Sequence, residues 1–249
     1  MADSASYSLQ AIAHIHSCYR EKFGIPRQPG LVTAAEASLR FVPAFNQPDL
    51  VRGLEQFSHV WLIFVFHATA EADWRPTVRP PRLGGNQRLG VLATRSMFRP
   101  NPLGLSVAEL REIRYQDGQL ELRLGGVDLL DGTPVLDIKP YLPYAERLES
   151  ATAGFAMAEP ERRPVVFAAQ ALQQCAAKQL QWQTDIRLLI EQILAQDPRP
   201  AYHQGREDER IYGMRLYDFD VRWRFRMGVC EVLGLQEDAA GAAPIESGL

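Results

Sequence analysis

Between residues 7 and 145 the chain alternates short apolar runs with breaks rich in proline and glycine, and almost no amphipathic helix interrupts them. Strands not separated by helices must pair with one another, so this half of the chain is restricted to a barrel or sandwich rather than alternating βα units. The runs are residues 7–16 (YSLQAIAHIH), 38–45 (SLRFVPAF), 59–68 (HVWLIFVFHA), 89–96 (LGVLATRS), a run within 99–116, and two runs in 119–145. Alternation in the first predicts a strand with one buried face. The unbroken apolar stretch of 59–68 predicts a strand buried on both faces. Asp131-Gly132 is a tight-turn signal joining the last two runs. Residues 18–31 read as a long ordered loop or a turn, broken by Pro26, Pro29 and Gly30. Pro48 near the start of Asp49–Gly53 predicts a helical turn. Three prolines and two glycines within residues 74–87 forbid a helix or central strand there.

The character changes after residue 147. A small, polar, proline-bearing stretch (148–164) reads as a linker. It is followed by a strand candidate at 163–169 and a helical pattern from Gln170 to Gln196, carried by Leu172, Ile186, Leu188, Leu189, Ile193 and Leu194. Pro198 stops the helix. Two strands, 210–225 and 228–236, complete a small α+β unit. The expected organisation is therefore a mainly β chain: a strand-rich domain over 1–147, a small α+β domain over 160–236, and a flexible tail over 237–249.

No apolar run approaches the ~18 residues of a membrane-spanning helix; the longest, Val60 to Phe66, has seven. The first twenty residues hold no signal-peptide core. Cys18, Cys175 and Cys230 are far apart and show no CxxC spacing, which fits a reducing cytoplasm and excludes a disulfide scaffold or zinc module. The chain carries 27 basic and 30 acidic residues, so a general nucleic-acid coat is excluded. The charge is unevenly placed, however. No acid occurs between Asp73 and Glu109, a span holding Arg75, Arg79, Arg82, Arg88, Arg95 and Arg99. Six guanidinium groups without a counter-charge create a local positive field suited to phosphate or carboxylate.

Neither GxGxxG nor GxxxxGK[ST] occurs, which argues against a Rossmann or P-loop enzyme. HExxH and GxSxG are also absent, so there is no sign of a metal site or a serine nucleophile. Three segments stand out. Arg95 to Gly104 sets two arginines about a proline-fixed turn, with Asn101 held between two prolines. Asp128, Asp131, Asp137 and Lys139 cluster around a turn, and Asp128 and Lys139 lie in otherwise apolar strand candidates. Asp197-Pro-Arg-Pro-Ala-Tyr202 brackets Arg199 with prolines, a pre-ordered loop suited to recognition of a planar or anionic group. His67, just past a buried strand, is a further candidate.

These segments, with Tyr19–Gly30, Asn46, Val51–Glu55, Pro76–Asn86, Ala93–Arg95, Val127–Pro134 and Asp137–Tyr141, resemble in order the TrmO (YaeB, TsaA-like) family, as far as about residue 225. The resemblance implies a single-sheet β-barrel methyltransferase domain with a small C-terminal domain, working as a homodimer. It implies S-adenosylmethionine as cofactor and, as substrate, the anticodon loop of tRNA, methylated at N6 of threonylcarbamoyladenosine. It places the cofactor near Pro26, Arg27, Gln28, His67, Ala68, Arg95, Leu105, Val127, Asp128, Leu129 and Leu130, with no metal. Asp128 or Asp131 is the candidate base and Asn101 a further catalytic candidate. Arg99, Lys139, Tyr141, Asp197, Arg199 and Tyr202 are candidates for holding the substrate. The alternative on the residues alone is a non-catalytic RNA- or nucleotide-binding module.

Overall fold

The computed structural model describes residues 6–199 and 210–237. Tyr202 and residues 238–249 lie outside that range. Six strands close an antiparallel barrel: β1 (Ala13–Ser17), β2 (Glu36–Phe41), β3 (His59–Val65), β6 (Leu103–Gln116), β7 (Gln119–Gly125) and β8 (Pro134–Pro140). Their order is β1-β2-β7-β6-β3-β8, with β8 returning to β1. Closure removes the free edges that an open sheet of this size would expose.

The two-residue period of each strand fills the barrel. Ile15, Leu39, Leu62, Leu120, Leu122, Leu124 and Val135 are fully buried at alternating positions. Each contributes about 1.5–3 kcal/mol by leaving water. β3 also alternates, its second face being only half-buried, so the expectation of burial on both faces is corrected. A barrel buries one face of each strand; the other meets loops.

Several expected strands are shorter. Residues 7–12 precede β1. The run at 89–96 yields only β5 (Leu89–Gly90), paired with β4 (Thr77–Val78), before a 3-10 turn over Val91–Ala93. Residues 43–45 and 48–51 form 3-10 turns, with proline at the start of each. Asp131-Gly132 does not close a hairpin, because β7 and β8 are not neighbours. The hairpin instead lies between β6 and β7 at Asp117-Gly118, both with positive φ (51° and 76°). That dipeptide carries the same tight-turn signal.

The C-terminal unit follows a short helix, α1 (Pro143–Glu146). Its sheet runs β10 (Ile211–Leu216), β11 (Phe219–Arg226), β12 (Val229–Glu237) and β9 (Val165–Phe167), the last parallel to β12. Glu237 thus still belongs to a strand. The single run read at 210–225 is a hairpin, turned at Tyr217 with φ 47°. The expected single helix is two, α2 (Ala169–Trp182) and α3 (Ile186–Leu194), separated by Gln183 in the left-handed conformation. Asp185 caps α3, its carboxylate accepting from the Leu188 amide at 2.9 Å. Ile186, Leu189, Ile190, Ile193 and Leu194 form one buried stripe at helical spacing.

This unit clamps the long loop after β1. The Tyr217 amide donates to the Cys18 carbonyl at 2.9 Å, and the Arg215 amide to Glu21 at 2.9 Å. Gln192 holds Thr33 and the Ala34 amide, each at 2.9 Å. Residues 18–34 are therefore ordered by tertiary contact rather than by their own sequence.

Gly104 lies opposite Phe64 in the β3–β6 ladder, and a Cβ there would enter the Phe64 ring. Gly104→Ala is expected to cost about 1–3 kcal/mol through overpacking. It should also disturb the cavity that Phe64 lines. Thermal denaturation checks the first effect, and a variant as stable as the parent would refute it.

Candidate active site

A cavity of about 270 Å³ opens where β3 ends and β6 begins. This is close to the lower end of the ~300–1,000 Å³ common for ligand pockets. Four separate segments form its wall. The clamped loop gives Pro26, Arg27 and Gln28; the turn after β3 gives His67 and Ala68; Arg95 and Leu105 come from either side of the Arg99–Gly104 turn; and Asp128, Leu129 and Leu130 come from the connection before β8. Ten of the eleven residues expected around a cofactor thus meet in one place. Val127, the eleventh, is buried beneath, 1% exposed.

The connection from Asp128 to Thr133 is fixed to β1 and the chain following it. The Ser17 hydroxyl donates to the Leu129 carbonyl at 2.7 Å, the Gly132 amide to the Ile15 carbonyl at 2.8 Å, and the Asp131 amide to the Tyr19 carbonyl at 2.9 Å. Asp131 completes this anchor. Its carboxylate accepts from the Ser17 amide at 3.0 Å and from the Arg20 guanidinium.

Asp128 has different surroundings. Its carboxylate accepts from the buried Ser106 hydroxyl, and it is the only carboxylate among the described lining residues. Burial pushes its pKa up to about 6, opposed by the Ser106 bond and by the field of Arg95. A carboxyl group tuned towards neutrality in a cavity is a candidate proton acceptor. His67 is lowered below its usual value, first by burial and then by nearby positive charge. Arg95 is exposed, and its guanidinium donates to the Gln28 side chain.

The other candidates lie outside this lining. Asn101 is exposed in the proline turn, where its carbonyl accepts from the Leu103 amide at 2.7 Å. Arg99 donates to the carbonyls of Thr94 and Ser96 at 3.3 and 3.5 Å and so shapes its own loop. Lys139 is exposed beside Asp137, 3.6 Å away, and Tyr141 packs against Trp61 with ring centroids 5.8 Å apart. Asp197 and Arg199 are buried and paired side to side at 2.7 and 2.8 Å, with Arg199 over the Phe225 ring. Sequence reasoning missed Phe64, Met97 and Thr133 in the wall, and Ser106 behind Asp128. A serine inside an apolar strand was the available signal for Ser106.

The model of the tRNA-methyltransferase O N-terminal domain matches residues 14–147, and that of the TrmO C-terminal domain matches residues 160–238. The tRNA (adenine(37)-N6)-methyltransferase of Escherichia coli strain K12 is 50% identical over 233 residues, covering 93% of this chain and 99% of that protein. A Pseudomonas aeruginosa protein described as a putative S-adenosylmethionine-dependent methyltransferase, RcsF, is 50% identical over 220 residues, 88% of this chain and 93% of that one. The crystal structure of TrmO from Pseudomonas aeruginosa superposes with a TM-score of 0.79 at 42% identity, covering 94% of this chain and all of that one. With both halves matched in order and half of the aligned residues identical to a full-length relative, the chain belongs to the TrmO family.

Proposed function

We propose that the protein transfers a methyl group from S-adenosylmethionine to N6 of the threonylcarbamoyl-modified adenosine at position 37, as the name of the Escherichia coli relative suggests for the base and position. The observation that carries this reading is the convergence of Arg95 and Asp128 on one largely apolar cavity. Its chemistry fits the cofactor. Ile25, Phe66 and Leu129 offer apolar walls for a purine; Arg95 offers a fork for a carboxylate, and Asp128 a counter-charge for a cation. When bound, the cofactor supplies an electrophilic methyl group on sulfonium.

The residues do the rest. Backbone groups of Pro26–Gln28 and of Leu129–Leu130 hold the purine edge. Arg95 fixes the methionine end, so that the reacting atoms are aligned, a contribution of up to ~7–11 kcal/mol when both partners are held. The N6 lone pair is delocalised into the carbamoyl group and the purine, so loss of its proton assists attack. Asp128, with Ser106 orienting it, takes that proton. Asp131 anchors the connection that carries it. Arg99 and Asn101, in the turn beside the cavity, form a polar approach on the substrate side, whereas Lys139 and Tyr141 sit at the far end of β3, opposite Trp61 and His59, and lie outside this approach. Asp197 and Arg199, joined in a buried ion pair, root the stretch that contacts the anticodon loop.

We also propose a cytoplasmic homodimer. Leu103 and Leu105, on one side of β6, are 38% and 56% exposed, an apolar strip beside the cavity that a second copy can cover. Among the described residues no helix is long and apolar enough to cross a membrane.

The test is transfer of labelled methyl from S-adenosylmethionine to tRNA pools with and without the threonylcarbamoyl group, read by nucleoside mass. Methylation of the modified pool alone is expected. Tight tRNA binding without cofactor binding would favour the non-catalytic module. Arg95→Ala should weaken cofactor affinity about 10–100-fold, the loss of one charge-assisted bond of ~1.5–3 kcal/mol. Calorimetry reads this directly, and unchanged affinity would remove Arg95 from the cofactor site.

A further inference from the structure

The six arginines of the acid-free span behave differently from those elsewhere. Arg20, Arg40, Arg111, Arg123, Arg187 and Arg224 each hold a carboxylate. None of the six does so among the described residues. Arg82, Arg95 and Arg99 donate to neutral oxygens. Arg75 is set over the Phe98 ring, 5.1 Å from its centroid, with its amide on the Phe98 carbonyl at 3.1 Å.

Three of them share a concavity of about 520 Å³, in which Arg75, Arg79 and Arg88 meet Thr77, Ser96 and Phe98. No carboxylate occurs among its described lining residues. The β4–β5 register pairs Thr77 with Gly90 and Val78 with Leu89, which leaves Arg79 and Arg88 adjoining that last pair at the neck of the loop between the two strands. Like charges held close to one another repel. A bound anion between them removes that cost.

The concavity also backs onto the active site. Residues 95–98 form the wall between the two: Arg95 and Met97 line the first cavity, Ser96 and Phe98 the second. We infer that the Arg75–Arg79–Arg88 concavity binds the phosphodiester backbone of the RNA substrate beside the nucleotide whose base enters the active site. The inference rests on the function proposed above. Guanidinium forks suit phosphate oxygens, and such contacts fix register without reading sequence.

The experiment compares the parent with Arg79→Glu/Arg88→Glu, Arg79→Gln/Arg88→Gln and Arg79→Lys/Arg88→Lys in the full chain. The readouts are cofactor affinity, tRNA affinity across a salt series, and KM for tRNA. The glutamate pair should keep cofactor affinity within twofold and lose tRNA affinity at least tenfold. The glutamine pair should flatten the salt dependence by about 1.4, which is about 0.7 for each single-stranded phosphate no longer neutralised, and the glutamate pair by at least as much. The lysine pair should recover most of the binding. Unchanged tRNA affinity and salt slope in both the glutamate and glutamine pairs would overturn the inference. If the glutamate pair unfolds, the glutamine pair, which keeps the side chains polar and uncharged, decides alone. A parent that binds tRNA in this salt-dependent way but transfers no methyl group would sink the proposed activity and leave this surface standing; a parent that binds no tRNA would sink both.

Discussion

Asp128→Asn should cost methyl transfer about 10²–10⁴-fold, the usual contribution of a positioned base, while leaving the protein more stable than its parent at neutral pH. The two halves of this expectation have one cause. Burial raises the carboxyl pKa to about 6, above its unfolded value, so the folded state prefers the neutral group. Below the unfolded pKa the group is neutral in both states and costs nothing. As pH rises through the window between the two values, the folded state pays for ionising a buried acid, and above about 6 the penalty is complete. A shift of this size corresponds to on the order of 3 kcal/mol. Asparagine keeps an oxygen for Ser106 to donate to and never ionises, so the stability gap between variant and parent should open from about pH 4 to pH 6 and then stay constant. The parent's kcat/KM should rise with pH through about 6. Denaturant melts and single-turnover kinetics over pH 4–8.5 read both. A variant that methylates within threefold of the parent would remove Asp128 as the base and leave catalysis to alignment alone.

Arg199→Ala should destabilise the C-terminal unit by about 3–5 kcal/mol, since it strips a buried carboxylate of its bidentate partner. Arg199 is 1% exposed and Asp197 7%. Replacing both, as Asp197→Asn/Arg199→Met, should cost much less, because both members of the pair are then neutral. Asp197 also lines a second cavity together with Arg27, so loss of the pair should reach the cofactor loop as well. Urea denaturation of the single and double variants, with cofactor affinity measured alongside, provides the check. A single variant that melts like the parent but fails to bind tRNA would instead make Arg199 an RNA contact.

The barrel was legible in the sequence because strand periodicity is local. Leu120, Leu122 and Leu124 alternate, and no strip of helix competes with them. The stripe on α3 was legible for the same reason. Boundaries were not. Tyr217 and Gln183 adopt positive φ without being glycine, so a hairpin read as one strand and two helices as one. The residues expected around a cofactor came from family motifs, and the meeting of ten of them in one cavity is a fact of the fold.

By itself, the sequence determined which stretches form strands, which helix face is apolar, and that six arginines occupy a span without acids. These follow from alternation and composition within short windows. Only the tertiary structure decided what each acid and arginine does. Asp128 and Asp131 are three residues apart and equal as chemistry. One is tied to Ser17 and Arg20 as a brace, while the other is buried against Ser106 and pushed towards neutrality. Arg199 looked like a recognition residue and is buried against Asp197, whereas Arg79 and Arg88 are exposed around a concavity. A side chain's charge state and partners depend on groups distant in sequence, and desolvation and ion pairing act only once the chain has brought them together.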